Sequence, residues 1–263
     1  MMKPAVLVFA GADPGGGAGI QADNQAIAAL GAHPLTVITA LTVQDNDRVF
    51  SVHPVSAELL RQQAQALINK IPVAAIKIGI VAHADNAQAI ADIIKALRRK
   101  QTHLPVVLDP VLGSGHGDSL AVGNAVKALS PLFELATLIT PNLPEAQALC
   151  DGERRAENQV EQLQRLGCEQ VLIKGGHGAP EGNVVNTWHA ATQSRSWSWP
   201  RLPGGFHGSG CTLASAIASL LAQGLSMEEA LDEGQIYTQR ALERAYAIAD
   251  GQLMPNRFGA MKE

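Results

Sequence analysis

At 263 residues the chain has room for one large α/β domain or two small ones, and 46% hydrophobic against 17% charged residues supplies a core and excludes a disordered chain. A net charge of −4 and a pI near 6.1 lack the basic footprint that nucleic acid requires, and no apolar run reaches the length of a membrane span. Three cysteines, with no C-x-x-C pair, fit reduced thiols in a cytoplasm better than a disulfide or zinc framework.

In chain order, "AVLVFAG" is a strand whose apolar run is too short for a signal peptide. "AGIQADNQAIAALG" then predicts a helix ending at Gly31. "LTVITALTVQ" and "RVFSVHPV" are strands, followed by a helix from about Ser56. "VAAIKIGIV", "LPVVLDPV", "LATLITPN" and "QVLIKGGH" are continuous apolar strands, as expected where both faces of a sheet are covered. Helical stretches such as "ADNAQAIADIIKALRRK" separate them. After Lys174, "NVVNTWHAATQSRSWSWPRL" alternates like a hairpin turning near Thr192 and Gln193. "GGFHGSGCTLASAIASLLAQG" runs from glycines into a buried helix, and the S-M-E-E box at Ser226–Glu229 opens the last one. The alternation predicts an α/β fold: a mostly parallel sheet with helices on both faces, built as a single domain over 1–263.

In such sheets ligands bind beyond the carboxyl ends of the strands, where the unusual loops fall. Neither G-x-x-x-x-G-K-[ST] nor G-x-G-x-x-G occurs, so a nucleotide needs another cradle. "HGSGC" offers one. Gly208, Ser209 and Gly210 enter a helix whose N–H groups and dipole suit an anion, with His207 just before them. The bland alternative is a helix entry that simply uses small residues. Cys211 stands inside that helix start, where the dipole favours thiolate and the thiol can serve as a general base. Against this, composition alone makes it a buried structural cysteine, the reading given to Cys150 and Cys168.

Asp109 in "LDPV", and Asn142 and Glu145 in "TPNLPEA", place polar groups just past strands and suit Mg²⁺ with phosphate oxygens. The alternatives are a turn for Asp-Pro and a helix cap with a first-turn glutamate for the rest. Lys174 and Lys77 end strands and are candidates to reach a phosphate, the alternative being strand-end lysines that are simply solvated. Gly11 closes the first strand, while Gln21, Asp23 and Gln44 are candidates to line a pocket for a polar heterocycle.

Taken together, "GADPGGGAGIQAD", "VITALTVQ", "KIG", "VVLDPV", "LITPNLPEA", "IKGGH" and "HGSGCTLASAIA" resemble, in order and spacing, the hydroxymethylpyrimidine/phosphomethylpyrimidine kinases of thiamine biosynthesis. The resemblance spans nearly the whole chain and implies a ribokinase-like three-layer sandwich. It implies ATP- and Mg²⁺-dependent phosphorylation of 4-amino-5-hydroxymethyl-2-methylpyrimidine and then of its monophosphate, in a cytoplasmic homodimer. By position, Gln44, Asp23 and Gly11 match the pyrimidine side. Gly208, Ser209 and Gly210 match the anion hole, with Cys211 as base. Asp109 and Glu145 match the metal region, and Lys174, Asn142 and His207 the nucleotide side. Two departures stand out. The loop after "DPV" reads "LGSGHGD" where the family carries a lysine, leaving His116 as a weak substitute, and "PGGF" replaces an Asn-Thr pair before His207. A pyridoxal or pyridoxine kinase of the same fold is the alternative, and a non-catalytic pyrimidine-binding protein a remoter one. Gln44 with Asp23 favours an aminopyrimidine, offering an acceptor for its amine and donors for its ring nitrogens.

Overall fold

The structure, a computed structural model, describes residues 2–114, 117–118, 120, 123–178 and 181–260. Nine strands form one sheet: β1 (Ala5–Ala12), β2 (His33–Gln44), β3 (Val49–Pro54), β4 (Val73–Ile78), β5 (Val106–Leu108), β6 (Leu138–Ile139), β7 (Val171–Ile173), β8 (Asn183–His189) and β9 (Ser194–Pro200). Their order is β3-β2-β1-β4-β5-β6-β7-β8-β9. Strands β1, β2 and β4 to β7 run parallel, while β3, β8 and β9 pair antiparallel at the two ends. The predicted mostly parallel sheet and its late hairpin are both present. Strand order reverses between β1 and β4, which opens a crevice at their carboxyl ends.

Helices cover both faces, and the alternation of side chains along each strand decides which face a residue meets. Ala5, Leu7 and Phe9 of β1 pack with α2 (Ala57–Ile68), α3 (Ala84–Arg98), α4 (Ala125–Phe133), α5 (Leu143–Leu149) and α6 (Ala156–Arg165). Val6, Val8 and Ala10 pack on the other side with α1 (Gly19–Ala29), α7 (Ser209–Ala222) and α8 (Met227–Glu243). The same rule places later residues. Ala75, Val107, Leu138 and Leu172 face α7, so Lys77, Asp109, Thr140 and Lys174, each two residues further on, turn to that side as well.

Local sequence sets the helix ends. Gly31, at φ 93°, takes the left-handed turn after α1. Ser226 and Glu229 exchange both bonds of a capping box at α8, as predicted. Asn142 and Glu145 do the same at α5, so the structure gives these two residues the capping role in addition to any other.

Candidate active site

A cavity of about 490 Å³ lies at the carboxyl ends of the strands, running from the end of β2 to the β8–β9 hairpin. Among the described residues, the candidates named from the sequence line it, except Gln21, Asp23 and Lys77. Gly11 and Gln44 line it at the ends of β1 and β2. Asp109, Asn142, Glu145 and Lys174 follow later strands, and His207 through Cys211 enter from the start of α7.

Gly208 makes that start possible. It is the N-cap of α7 at φ 74°, and a Cβ there would sit 2.1 Å from the Gly17 carbonyl oxygen. No side chain caps this helix. The first N–H groups of α7 therefore point toward the cavity, the arrangement that binds anions. Gly210 packs against the next layer, for its Cβ would meet Lys174 Nζ at 3.0 Å and Asp109 Oδ2 at 3.5 Å.

Lys174 Nζ donates to Asp109 Oδ1 at 2.7 Å, and Thr140 Oγ1 donates to the same oxygen at 3.1 Å. Burial alone would weaken the Lys174 ammonium, but facing Asp109 and Glu145 it is held more firmly charged than a free lysine. Glu145 is buried and accepts from the Asn142 N–H at 2.8 Å. Burial pushes its carboxyl up to about 7; Lys174 pulls against this and Asp109 adds to it. Among the described residues no three His, Cys, Asp or Glu side chains gather as a metal site. A cation here would draw most of its ligands from phosphate and water.

Asp23 is a correction. It is fully buried, faces β4 from α1, and takes two bonds from Lys77 Nζ at 2.8 and 2.9 Å and one from Ser215 Oγ at 2.7 Å. Neither it nor Lys77, equally buried and paired with it, lines the cavity. The pair forms a charged floor under α7. Gln21 is likewise occupied, accepting from the Asp13 N–H at 2.9 Å. Of the pyrimidine-side candidates, Gln44 and Gly11 line the cavity, and no described residue makes a side-chain hydrogen bond to the Gln44 amide.

Cys211 is a second correction, in its resting charge. The Gly19 N–H and Lys77 favour thiolate, but burial outweighs them and pushes the thiol up to about 11, with Asp23 and Asp109 adding to the rise. A helix start does not by itself make a thiolate where packing around the sulfur disfavours the charge. Cys150 and Cys168 are buried and pushed up to about 11 and about 12, in keeping with a packing role.

His207 has both ring nitrogens engaged, with Asp13 Oδ2 at 3.0 Å and Gln252 Oε1 at 3.2 Å. It lines the cavity and also clasps Asp13 to Gln252. Asp13 is 1% exposed and also accepts from Gly15 N at 2.8 Å and Ala18 N at 2.7 Å, bonds that hold its carboxyl below the usual range against its burial. The first glycine loop and the entry to α7 are thus tied together. The sequence reading missed Asp13, although its place among glycines marked a turn.

It also missed Arg48. In the lysine-free loop after β5, Asp118 receives Arg48 Nη2 at 2.6 Å and Nε at 3.1 Å, and Ser114 Oγ at 3.1 Å. The Arg48 guanidinium and the Val49 N–H hold that carboxyl well below its ordinary value. His116 lies outside the described residues.

Known proteins resemble this chain along nearly its whole length. The sequence profile of the phosphomethylpyrimidine kinase family matches residues 13–256. A hydroxymethylpyrimidine/phosphomethylpyrimidine kinase of Mycobacterium tuberculosis is 39% identical over 257 residues, covering 95% of this chain and 92% of that one. The crystal structure of a Clostridium difficile phosphomethylpyrimidine kinase superposes with a TM-score of 0.75 at 33% identity, over 91% of this chain and all of the other. A Staphylococcus aureus pyridoxal kinase, solved with pyridoxal, shares the fold at a TM-score of 0.87 and 23% identity, over 98% and 95% of the two chains. With the matched region reaching from the Asp13 loop to the C-terminal segment, and the α7 entry, Lys174 and Gln44 inside one cavity, the chain belongs to the phosphomethylpyrimidine kinase family.

Proposed function

We propose that this protein transfers the terminal phosphoryl group of ATP to the hydroxymethyl oxygen of 4-amino-5-hydroxymethyl-2-methylpyrimidine, and then to the resulting monophosphate. One observation carries the reading: a single cavity joins an uncapped helix start, a buried lysine–aspartate pair and an unengaged glutamine. Phosphoryl transfer needs positioning and charge neutralisation more than covalent chemistry. The N–H groups of Ser209, Gly210 and Cys211 hold the moving phosphoryl group, and Lys174 neutralises its charge. Gln44 donates to and accepts from the ring. Cys211, once its own proton has passed to solvent, takes the hydroxyl proton as a thiolate.

Mg²⁺ fits the donor set, since Asp109 and Glu145 are neighbouring buried carboxylates whose mutual repulsion a cation relieves. When bound it would shield charge on the phosphates. Glu145 stays protonated below about pH 7 in the free protein, so Mg²⁺ affinity should rise as pH passes that value. Glu145→Gln should abolish the pH dependence and raise the Mg²⁺ needed for half-maximal turnover. Its fold should persist, because an amide oxygen can still accept the Asn142 N–H. Mg²⁺ titrations at pH 6 and 8 check this; identical curves for the two proteins would leave Glu145 a helix cap only.

The test of the reading is ATP consumption with the pyrimidine alcohol, its monophosphate and pyridoxine offered separately. The first two should be turned over and pyridoxine should be poorer. Gln44→Leu should weaken binding of the pyrimidine alcohol by about 1–3 kcal/mol while sparing ATP. Turnover of pyridoxine alone would favour the pyridoxal kinase reading.

Other features suit a cytoplasmic dimer. The three cysteines are free, and among the described residues no helix is long and apolar enough to cross a membrane. Leu41, Val43 and Phe50 are exposed on the β2–β3 edge, a surface that a second copy would cover. A solution mass near twice 27.6 kDa would establish the pairing.

A further inference from the structure

Arg201 stands directly after β9, at the end of the cavity opposite Gln44. The turn that meets it is tightly built. Gly175 opens a short turn after β7 (Gly175–His177), and a Cβ there would strike the Val185 carbonyl oxygen, so glycine is what lets this turn lie against β8. The Gly175 N–H donates to Asn186 Oδ1 at 3.0 Å. Gly176, two residues beyond Lys174, then accepts from Arg201 Nη1 at 2.9 Å through its carbonyl. Nothing stands within 4 Å of where a Gly176 Cβ would be, so there is room beside the turn.

That hydrogen bond uses one of the five N–H donors of the guanidinium. Nε is buried and has no acceptor, an arrangement that costs free energy as it stands. Among the described residues no carboxylate pairs with Arg201. The other lysine and arginine of the cavity wall are occupied, Lys174 by Asp109 and Arg48 by Asp118. Of the remaining carboxylates on that wall, Glu145 faces Lys174, while Asp45 and Asp47 follow Gln44 at the other end. Arg201 also borders a second groove, where Glu157 and Glu181 stand, yet neither bonds to it. Burial first, then Lys174 and Arg201, hold the nearby His177 below the ordinary histidine range, so the fields of the two cations meet there.

The same end of the cavity is walled by Val184, Trp199, Leu202 and Leu242, with Thr238 and Gln239 among them. An apolar lining with a few polar groups suits a flat heterocycle, and the cation beside it suits an anion attached to that heterocycle.

We propose that Arg201 binds the phosphates that stay with the nucleotide, taking them across Nε and Nη2 once its side chain turns toward the cavity, while Gly176 keeps Nη1. The N–H groups of α7 and Lys174 take the phosphoryl group in transit, so the phosphate chain of ATP runs from α7 toward β9. This rests on the kinase reading above, yet its deciding tests need no turnover.

The first is calorimetric titration with ADP. Arg201→Gln keeps a donor for the Gly176 carbonyl and removes the charge. Its ADP affinity should fall roughly 10- to 100-fold, with adenosine affinity unchanged. In turnover, KM for ATP should rise and KM for the pyrimidine alcohol should not. A glutamine variant that binds ADP as tightly as the wild type would overturn the assignment, and so would one that loses adenosine and ADP equally. The second test needs no variant: phenylglyoxal modification of Arg201 in the wild-type protein, followed by mass spectrometry of its peptide. ADP and inorganic tripolyphosphate should both protect Arg201, and modification indifferent to tripolyphosphate would also overturn the assignment. If ADP binding depends on Arg201 but no pyrimidine is phosphorylated, the nucleotide contact stands and the functional reading falls.

Discussion

Cys211→Ser should lower turnover by roughly 10²–10⁴-fold, the usual cost of a lost general base, while substrate affinity changes little. The anion hole survives because its donors are backbone N–H groups. The structure adds a pH signature. With the resting thiol pushed up to about 11, only a small fraction is thiolate near neutrality. If the thiolate is the active form, kcat should climb steadily from pH 7 to pH 9.5 in the wild type, and the serine variant should not show that climb. Cys211→Asp supplies a carboxylate base at the same position and should recover part of the activity with a flatter profile. A serine variant close to wild type, with an unchanged pH profile, would reduce Cys211 to packing.

Lys77→Met should be the most destabilising single change at this site. It leaves the Asp23 carboxylate fully buried with only Ser215 as a side-chain donor. Breaking a buried pair from one side costs about 3–5 kcal/mol, and in a chain of this size the melting temperature should drop by on the order of 10 °C. The paired change Asp23→Leu with Lys77→Met removes both charges and should regain much of that loss. Thermal melts of the three variants test it. If the double variant is as unstable as the single one, shape rather than charge holds this layer.

That pair also shows what the sequence made legible and what it did not. The continuous apolar runs around Val8, Ile76, Val107 and Leu172 marked buried parallel strands, and the loops beyond them marked the rim. Both readings survive because periodicity and strand ends are local properties. Asp23 misled because a polar residue near a glycine loop suggests a ligand. A signal was nevertheless present, since Ile20, Asp23 and Ile27 share one helical stripe and Ala75 and Lys77 one strand face. Two opposite charges on two apolar faces point to a buried pair, but only tertiary packing brings together residues 54 positions apart. The resting charge of Cys211 was hidden for the same reason: desolvation depends on what packs around the sulfur, which a motif does not record. His207 occupied a motif position, yet its partners Asp13 and Gln252 come from remote loops.

The order of the strands has a consequence for synthesis. Strand β1 stands in the middle of the sheet, yet one of its faces is covered by α7, which begins about 200 residues later. At about 5–20 residues per second, translation leaves Val6, Val8 and Ala10 without that cover for roughly 10–40 s. Over that interval α1 alone can cover this apolar face, which leaves the part that α7 later buries as a natural target for chaperones.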